Sequence, residues 1–267
     1  MTQAIRTGKR LGLAICFLLA GAHAEAVCLF GTPYVGEPSL QTALDGLLTV
    51  APNTGMDCLQ DGVGPGSDGR WQSTSPTSAS ILLEIAGFAN QNRFGLYDPL
   101  NPANRIEVFV GPAGPGSVAE LAFVPAGGGQ NISVTVAGNT WATSSPFMGT
   151  AFGFYLLTPQ NNTFFSESSL NGGLDRMYAY RGNGALFDAG PIANDGDPSN
   201  NIFGSLDAIL AYEDLVRGDN DYQDFVVLVR GVQPVPIPAA ALLLASGLMA
   251  LGTASRRRRG ARPVSGS

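Results

Sequence analysis

Histidine and lysine are almost missing from this 267-residue chain, and both gaps narrow its chemistry. The single histidine is His23 and the single lysine is Lys9. A body without imidazole lacks the commonest general base and the commonest zinc ligand. From residue 25 to 255 there are 7 arginines against all 21 acidic residues, a net charge of −14, although the whole chain carries −6. That balance argues against a nucleic-acid partner, whose phosphates call for Lys and Arg. It suits a cation-rich exterior or cation binding. No G-x-S-x-G, H-E-x-x-H or phosphate loop occurs, so the chain is not expected to be an enzyme. No internal repeat and no long amphipathic helix are evident.

The two ends are built differently from the body. Arg6, Lys9 and Arg10 precede an apolar stretch, Leu11 to Ala22, and Ala22-His23-Ala24 forms a small-x-small cleavage site. This order predicts a signal peptide over 1–24, cut after Ala24, since about a dozen apolar residues are too short to span about 30 Å of hydrocarbon. Cys16 leaves with it, and Cys28 and Cys58 remain. In an oxidising compartment these two form one disulfide, stabilising by about 3–4 kcal/mol through loop entropy. The alternative is two free thiols.

At the other end, Ala239 to Ala254 is an uncharged run of 16 residues followed by Arg256, Arg257, Arg258 and Arg259. As a helix the run covers about 24 Å, and about 30 Å with residues 235–238 added. Arginines of this kind are held on the cytoplasmic side. The pattern predicts a single transmembrane helix over 239–254 within a tail of 233–260, with 261–267 disordered. The tail resembles the sorting signals of the bacterial PEP-CTERM family, on Val235-Pro236-Ile237-Pro238-Ala239-Ala240, Ser246-Gly247-Leu248 and Arg256 to Arg259. Val235, Pro236, Pro238 and the four arginines are the matching signal residues; Ile237 stands where the family has Glu. The resemblance implies a membrane peptidase of the exosortase type as partner and the inner membrane as a transient station. It also implies a cell-surface or extracellular destination, with extracellular polysaccharide and a biofilm matrix as surroundings.

Between the ends, Ser39 to Leu48 reads as a helix capped by Ser39, with Leu40, Ala43, Leu44 and Leu47 on one face. Asp61 to Ser80 reads as a loop whose Trp71 packs on the core. Strands are expected at Ile81–Ala86, Ile106–Val110, Val118–Val124, Ile132–Val136, Phe152–Leu157, Met177–Tyr180, Leu206–Tyr212 and Phe225–Val232. Gly/Pro/Asn connections separate them, as at 111–116 and 126–129. Many short strands with such turns predict a mainly β fold, a β-sandwich or jelly-roll-like domain. Residues 25–110 form either its N-terminal part or a separate lobe, and 111–232 its C-terminal part.

The stretch Tyr212 to Asp224 carries five carboxylates, Glu213, Asp214, Asp219, Asp221 and Asp224, between two strands. Carboxylates so crowded repel unless solvated or neutralised, and an oxygen cage suits calcium. The alternative is a solvated hairpin turn. An EF-hand loop counted from Asp219 fails, having Asp224 at position six and Arg230 at twelve. A second loop, Asn194 to Asn201, offers alternating oxygens and reads as polar or calcium-binding. The stretch resembles a bacterial extracellular domain family of unknown function, on Tyr212-Glu213-Asp214, Gly218 to Asp224, Phe225-Val226-Val227 and Gly153 to Leu156. Arg176 departs from a His expected after Asp175. The expectation is a non-enzymatic, calcium-stabilised matrix protein. A carbohydrate-binding module and a carboxylate glycosidase using Glu213 or Asp214 with Asp219 are the alternatives.

Overall fold

The computed structural model describes residues 36–45, 69–83, 88, 90–182, 184, 186, 202–216 and 221–235. The signal peptide, Cys28, Cys58, Asp219, the loop 194–201 and the tail from Pro236 onward lie outside the described residues. None of the described helices is long and apolar enough to cross a membrane.

The protein is mainly β. Helix α1 (Leu40–Asp45) is followed by β1 (Trp71–Leu83), β2 (Arg93–Asp98), β3 (Asn101–Phe109), β4 (Val118–Ala126), β5 (Gly129–Val136) and β6 (Asn139–Ala142). Then come β7 (Phe147–Met148), β8 (Ala151–Leu157), β9 (Thr163–Phe165), a 3-10 turn (Ser168–Asn171), β10 (Met177–Arg181), β11 (Asp207–Tyr212) and β12 (Phe225–Pro234). Ser39 caps α1 as expected, its Oγ accepting from the Thr42 N–H at 3.2 Å. Leu40 and Leu44 are buried on the helix's inner side.

The strands join in one antiparallel sheet. One path runs β10-β11-β12-β1-β4-β5-β6, and β3-β2-β8-β9 forms the facing part. Strand β1 links the two and nearly closes a barrel. Its first residues pair with β8 on one side (Trp71 with Phe152) and β12 on the other (Trp71 with Pro234). After a register shift between Ser73 and Ser78, where Pro76 stands, it pairs with β4 instead. A strand that changes partner at a bulge is the ordinary way a sheet turns a corner. Segments on both sides of 111–117 thus share one sheet and one core.

That core is aromatic. Phe94 stacks on Phe154 at 5.6 Å and on Phe225 at 5.8 Å, and meets Tyr212 edge-on at 6.2 Å. Phe94 and Phe154 come from the facing part, Tyr212 and Phe225 from the main path, so these rings join the two layers. Trp71 is buried edge-on to Phe154, which fits its expected core role. The loop reading of 61–80 is wrong over Trp71 to Ser80, which lies in β1. Its hydroxyls satisfy each other and the neighbouring backbone: Ser73 Oγ lies 2.8 Å from Thr77 Oγ1, which donates to the Gly231 carbonyl. Strands β2, β6, β7 and β9 were not anticipated. A smaller cluster of Leu40, Leu44, Tyr180, Phe203, Ile209, Tyr222, Val226 and Leu228 sits under α1 on the opposite face of β10–β12.

On the outer face of β2 and β8, Tyr97 lies flat over Gly153, where an added Cβ would fall 2.2 Å from the ring. The Gly153→Ala variant is therefore expected to lose about 1–3 kcal/mol by overpacking, read from the midpoint of urea unfolding.

Candidate metal centre

The site is set by one ladder. Tyr212 ends β11 and pairs directly with Phe225, which begins β12. The residues just outside that pair, Glu213-Asp214 and Asp224, therefore face each other across the mouth of a hairpin. The Asp214 N–H donates to Asp224 Oδ2 at 2.9 Å and closes the mouth. Carboxylate oxygens of Glu213, Asp221 and Asp224 all lie within 4.8 Å of one another. Of the five expected ligands, these three converge. Asp214 stands beside them, accepting from Asn92 Nδ2 at 2.9 Å.

Two amides missed by sequence reasoning hydrogen-bond these acids. Asn92, just before β2, reaches across from the facing layer. Gln223 donates from Nε2 to Asp221 Oδ2 at 2.6 Å and to Glu37 Oε2 at 3.2 Å, tying in the segment before α1. Glu213, Asp214, Asp221, Gln223 and Asn92 are each no more than 2 % exposed. Asn92 Oδ1 and Gln223 Oε1 are buried acceptors without a donor among the described residues. A buried oxygen left so costs about 1–3 kcal/mol, and a cation would satisfy it. Gln223 sits inside the stretch that sequence analysis singled out, between the acids Asp221 and Asp224. Asn92 carries no local signal.

Around this cluster the backbone is held tightly. Arg176, where the resemblance expects a His, donates from its guanidinium to the carbonyls of Leu215 (3.1 Å) and Val216 (2.7 Å) and lies over the Phe164 ring. It holds the turn through its carbonyls. Tyr222 has φ of 58°, a left-handed conformation that a bulky residue adopts only when its surroundings impose it. Its hydroxyl donates to the Asp175 carbonyl at 3.2 Å, and its ring meets Tyr178 edge-on.

The electrostatics follow from crowding. Burial raises the Asp224 carboxyl to about 9, with the negative charges of Asp214, Glu213 and Asp221 adding to the effect. Burial also raises Asp214, opposed by the Asn92 hydrogen bond. Burial raises Asp175 as well. Among the described residues no arginine forms an ion pair with Asp214 or Asp224; the ion pairs that involve β strands lie elsewhere, at Arg93–Glu107 and Arg230–Asp207. An all-oxygen, anionic, buried donor set is suited to a hard cation and lacks the nitrogen and sulfur that mark typical zinc sites.

The first residue of the tail signal is also placed. Val235 follows β12, and its N–H donates to the Arg70 carbonyl at 2.8 Å. Among the described residues this is the last backbone bond before Pro236.

No protein-family model, curated protein or solved structure matches the chain.

With a folded-state value raised above the ordinary carboxylate value, Asp224 binds more protons in the folded than in the unfolded chain between about pH 4 and 9. Cation-free protein should therefore lose stability as pH rises through that window. Chelator-treated protein is expected to melt lower at pH 8 than at pH 5. The Asp224→Asn variant is expected to flatten that slope in the same thermal scans.

Proposed function

We propose that this is an exported, non-enzymatic envelope or matrix protein whose β domain is stabilised by calcium at the hairpin mouth. The observation that carries the cation role is the oxygen cluster with two buried amide acceptors that have no donor among the described residues. Two oxygens on opposite sides of a calcium ion stand about 5 Å apart, since each bond is about 2.3–2.6 Å. The 4.8 Å limit on the three carboxylates fits that span. Glu213, Asp221 and Asp224 would supply charge, and the amide oxygens of Gln223 and Asn92 are the neutral candidates. Such an ion would hold three separated parts of the chain together: the segment at Glu37, the entrance to β2, and the β11–β12 hairpin.

Export and sorting rest on the two ends of the sequence. The signal peptide, the Pro-x-Pro signal, the 16-residue uncharged run and the arginine cluster together support processing by an exosortase-type peptidase. Association with extracellular polysaccharide follows from that family resemblance. The two packed β layers joined by aromatic rings support the jelly-roll-like reading of the domain. A glycosidase is less favoured, because Glu213 and Asp214 are each buried and so poorly placed to meet a sugar ring. A carbohydrate platform of tyrosines is also less favoured: Tyr97 and Tyr155 are buried, with Arg105 lying over the Tyr155 ring.

At calcium about a hundredfold above its Kd, binding contributes about 2.7 kcal/mol, which corresponds to a rise in Tm of about 5–10 °C for a domain of this size. Differential scanning calorimetry with calcium and with chelator should show that rise, and the Asp221→Asn/Asp224→Asn double variant should lose it. An unmoved midpoint in the parent protein would leave the cluster as a protonated turn. Intact mass of the protein from hosts with and without the sorting peptidase tests processing; equal masses sink the sorting role.

A further inference from the structure

Strand register divides the molecule into two ends. The acidic hairpin mouth lies where β12 begins. The opposite end is where β12 finishes, with Pro234, Trp71 and Phe152 level across three strands. The next strand over brings Tyr97 level with Gly153, so the β2–β3 turn projects from that same end. Its tip, Leu100, is 70 % exposed. Met148 is half exposed beside it, because Asp98 binds both residues: Oδ1 accepts from the Leu100 N–H and Oδ2 from the Met148 N–H, each at 2.9 Å. Val124, near the β4–β5 turn that pairs with β7 at Met148, is 56 % exposed.

The described carboxylates at this end are turned inward. Asp98 is spent on those two backbone donors. Glu167 is paired with Arg70 at 2.8 Å and accepts from Tyr97 Oη, and Asp207 is paired with Arg230. The tail leaves from here too, since Val235 is bonded to Arg70. Four peptide steps separate Val235 from Ala239, where the uncharged run begins. They reach at most about 14 Å, and a headgroup layer takes up about 5–8 Å of it.

We propose that this end of the barrel is a membrane-resting surface, with Leu100, Met148 and Val124 dipping into the headgroup region while the tail spans the bilayer. The proposal rests on the tail being a membrane span. The tether leaves the domain no room to stand off, and the side chains nearest the lipid are apolar. The contact is with the bilayer interface itself and needs no anionic lipid, because the body is strongly acidic. The cation site then faces away from the membrane, at the far end of β12.

The test uses the full chain in phosphatidylcholine vesicles, with benzoylphenylalanine placed singly at Leu100, Met148, Val110, Val216 or Leu244. Val110 and Val216 are about half exposed at the acidic end and serve as references. All four domain positions are surface sites, and each variant's thermal midpoint checks that it folds. Lipid adducts counted by mass spectrometry should be several-fold more abundant at 100 and 148 than at 110 and 216, with 244 labelled most. Labelling at 244 with equal yields at the four domain positions overturns the membrane-resting surface and leaves the tail reading intact. No adduct at 244 overturns the tail reading and this surface together.

Discussion

Three buried carboxylates and a half-buried fourth, crowded at the mouth of one hairpin, cannot all stay ionised without a counter-charge. Burying a charge costs several kcal/mol, and each like neighbour adds to it. The arrangement cannot relax by moving apart, because the pairing of Tyr212 with Phe225 fixes Glu213 and Asp224 opposite each other. Those two aromatics are also the partners of Phe94 in the joint between layers. Pulling the acids apart would open the core. A proton on Asp224 lowers the charge, and so would the proposed cation.

The effect of that choice reaches beyond the hairpin. Asn92 leads straight into Arg93 and β2, and it hydrogen-bonds Asp214 from the facing layer. Gln223 bridges Asp221 to Glu37, three residues before α1 begins. Helix α1 itself has six residues, too few to be stable alone in water. It persists through Leu40 and Leu44 under it and through this polar tie at its entrance. A change of charge at the mouth thus acts on the layer joint and on the N-terminal helix together.

Much of the fold was legible because most strands carry alternating or continuous apolar residues. Val118 to Val124 and Ile132 to Val136 appear as β4 and β5 within a few residues, and Gly127 and Gly128 take the positive φ that their turn requires. The start of β1 was hidden by its chemistry. Ser73, Ser75, Thr77 and Ser78 look like a loop, and Pro76 looks like a break, yet the register shift falls at the proline and the Ser73 and Thr77 hydroxyls bond each other. Strand β2 was hidden by Gly95, whose missing side chain is the space that the Tyr155 ring occupies. The site was half legible. Glu213, Asp214, Asp221 and Asp224 lie close in sequence and stay close in space. Asn92 and Glu37 are 122 and 186 residues from their partners, and no local pattern encodes a pairing at that distance.

The two ends of β12 give the chain a simple physical logic when joined to the proposed membrane contact. Fully burying a Leu or Met side chain contributes about 1.5–3 kcal/mol, and side chains already half covered contribute less. Leu100, Met148 and Val124 together are therefore too weak to hold an acidic domain on a bilayer without the tail. Their role would be to set its orientation while the tail supplies the anchorage. Cutting the tail removes Arg256 to Arg259 and the apolar run at once, leaving a body whose charge is −14 over residues 25–255. On the proposed sorting, release would need only the loss of one covalent tether. The acidic hairpin mouth, at the other end of β12, would face away from the membrane before the cut.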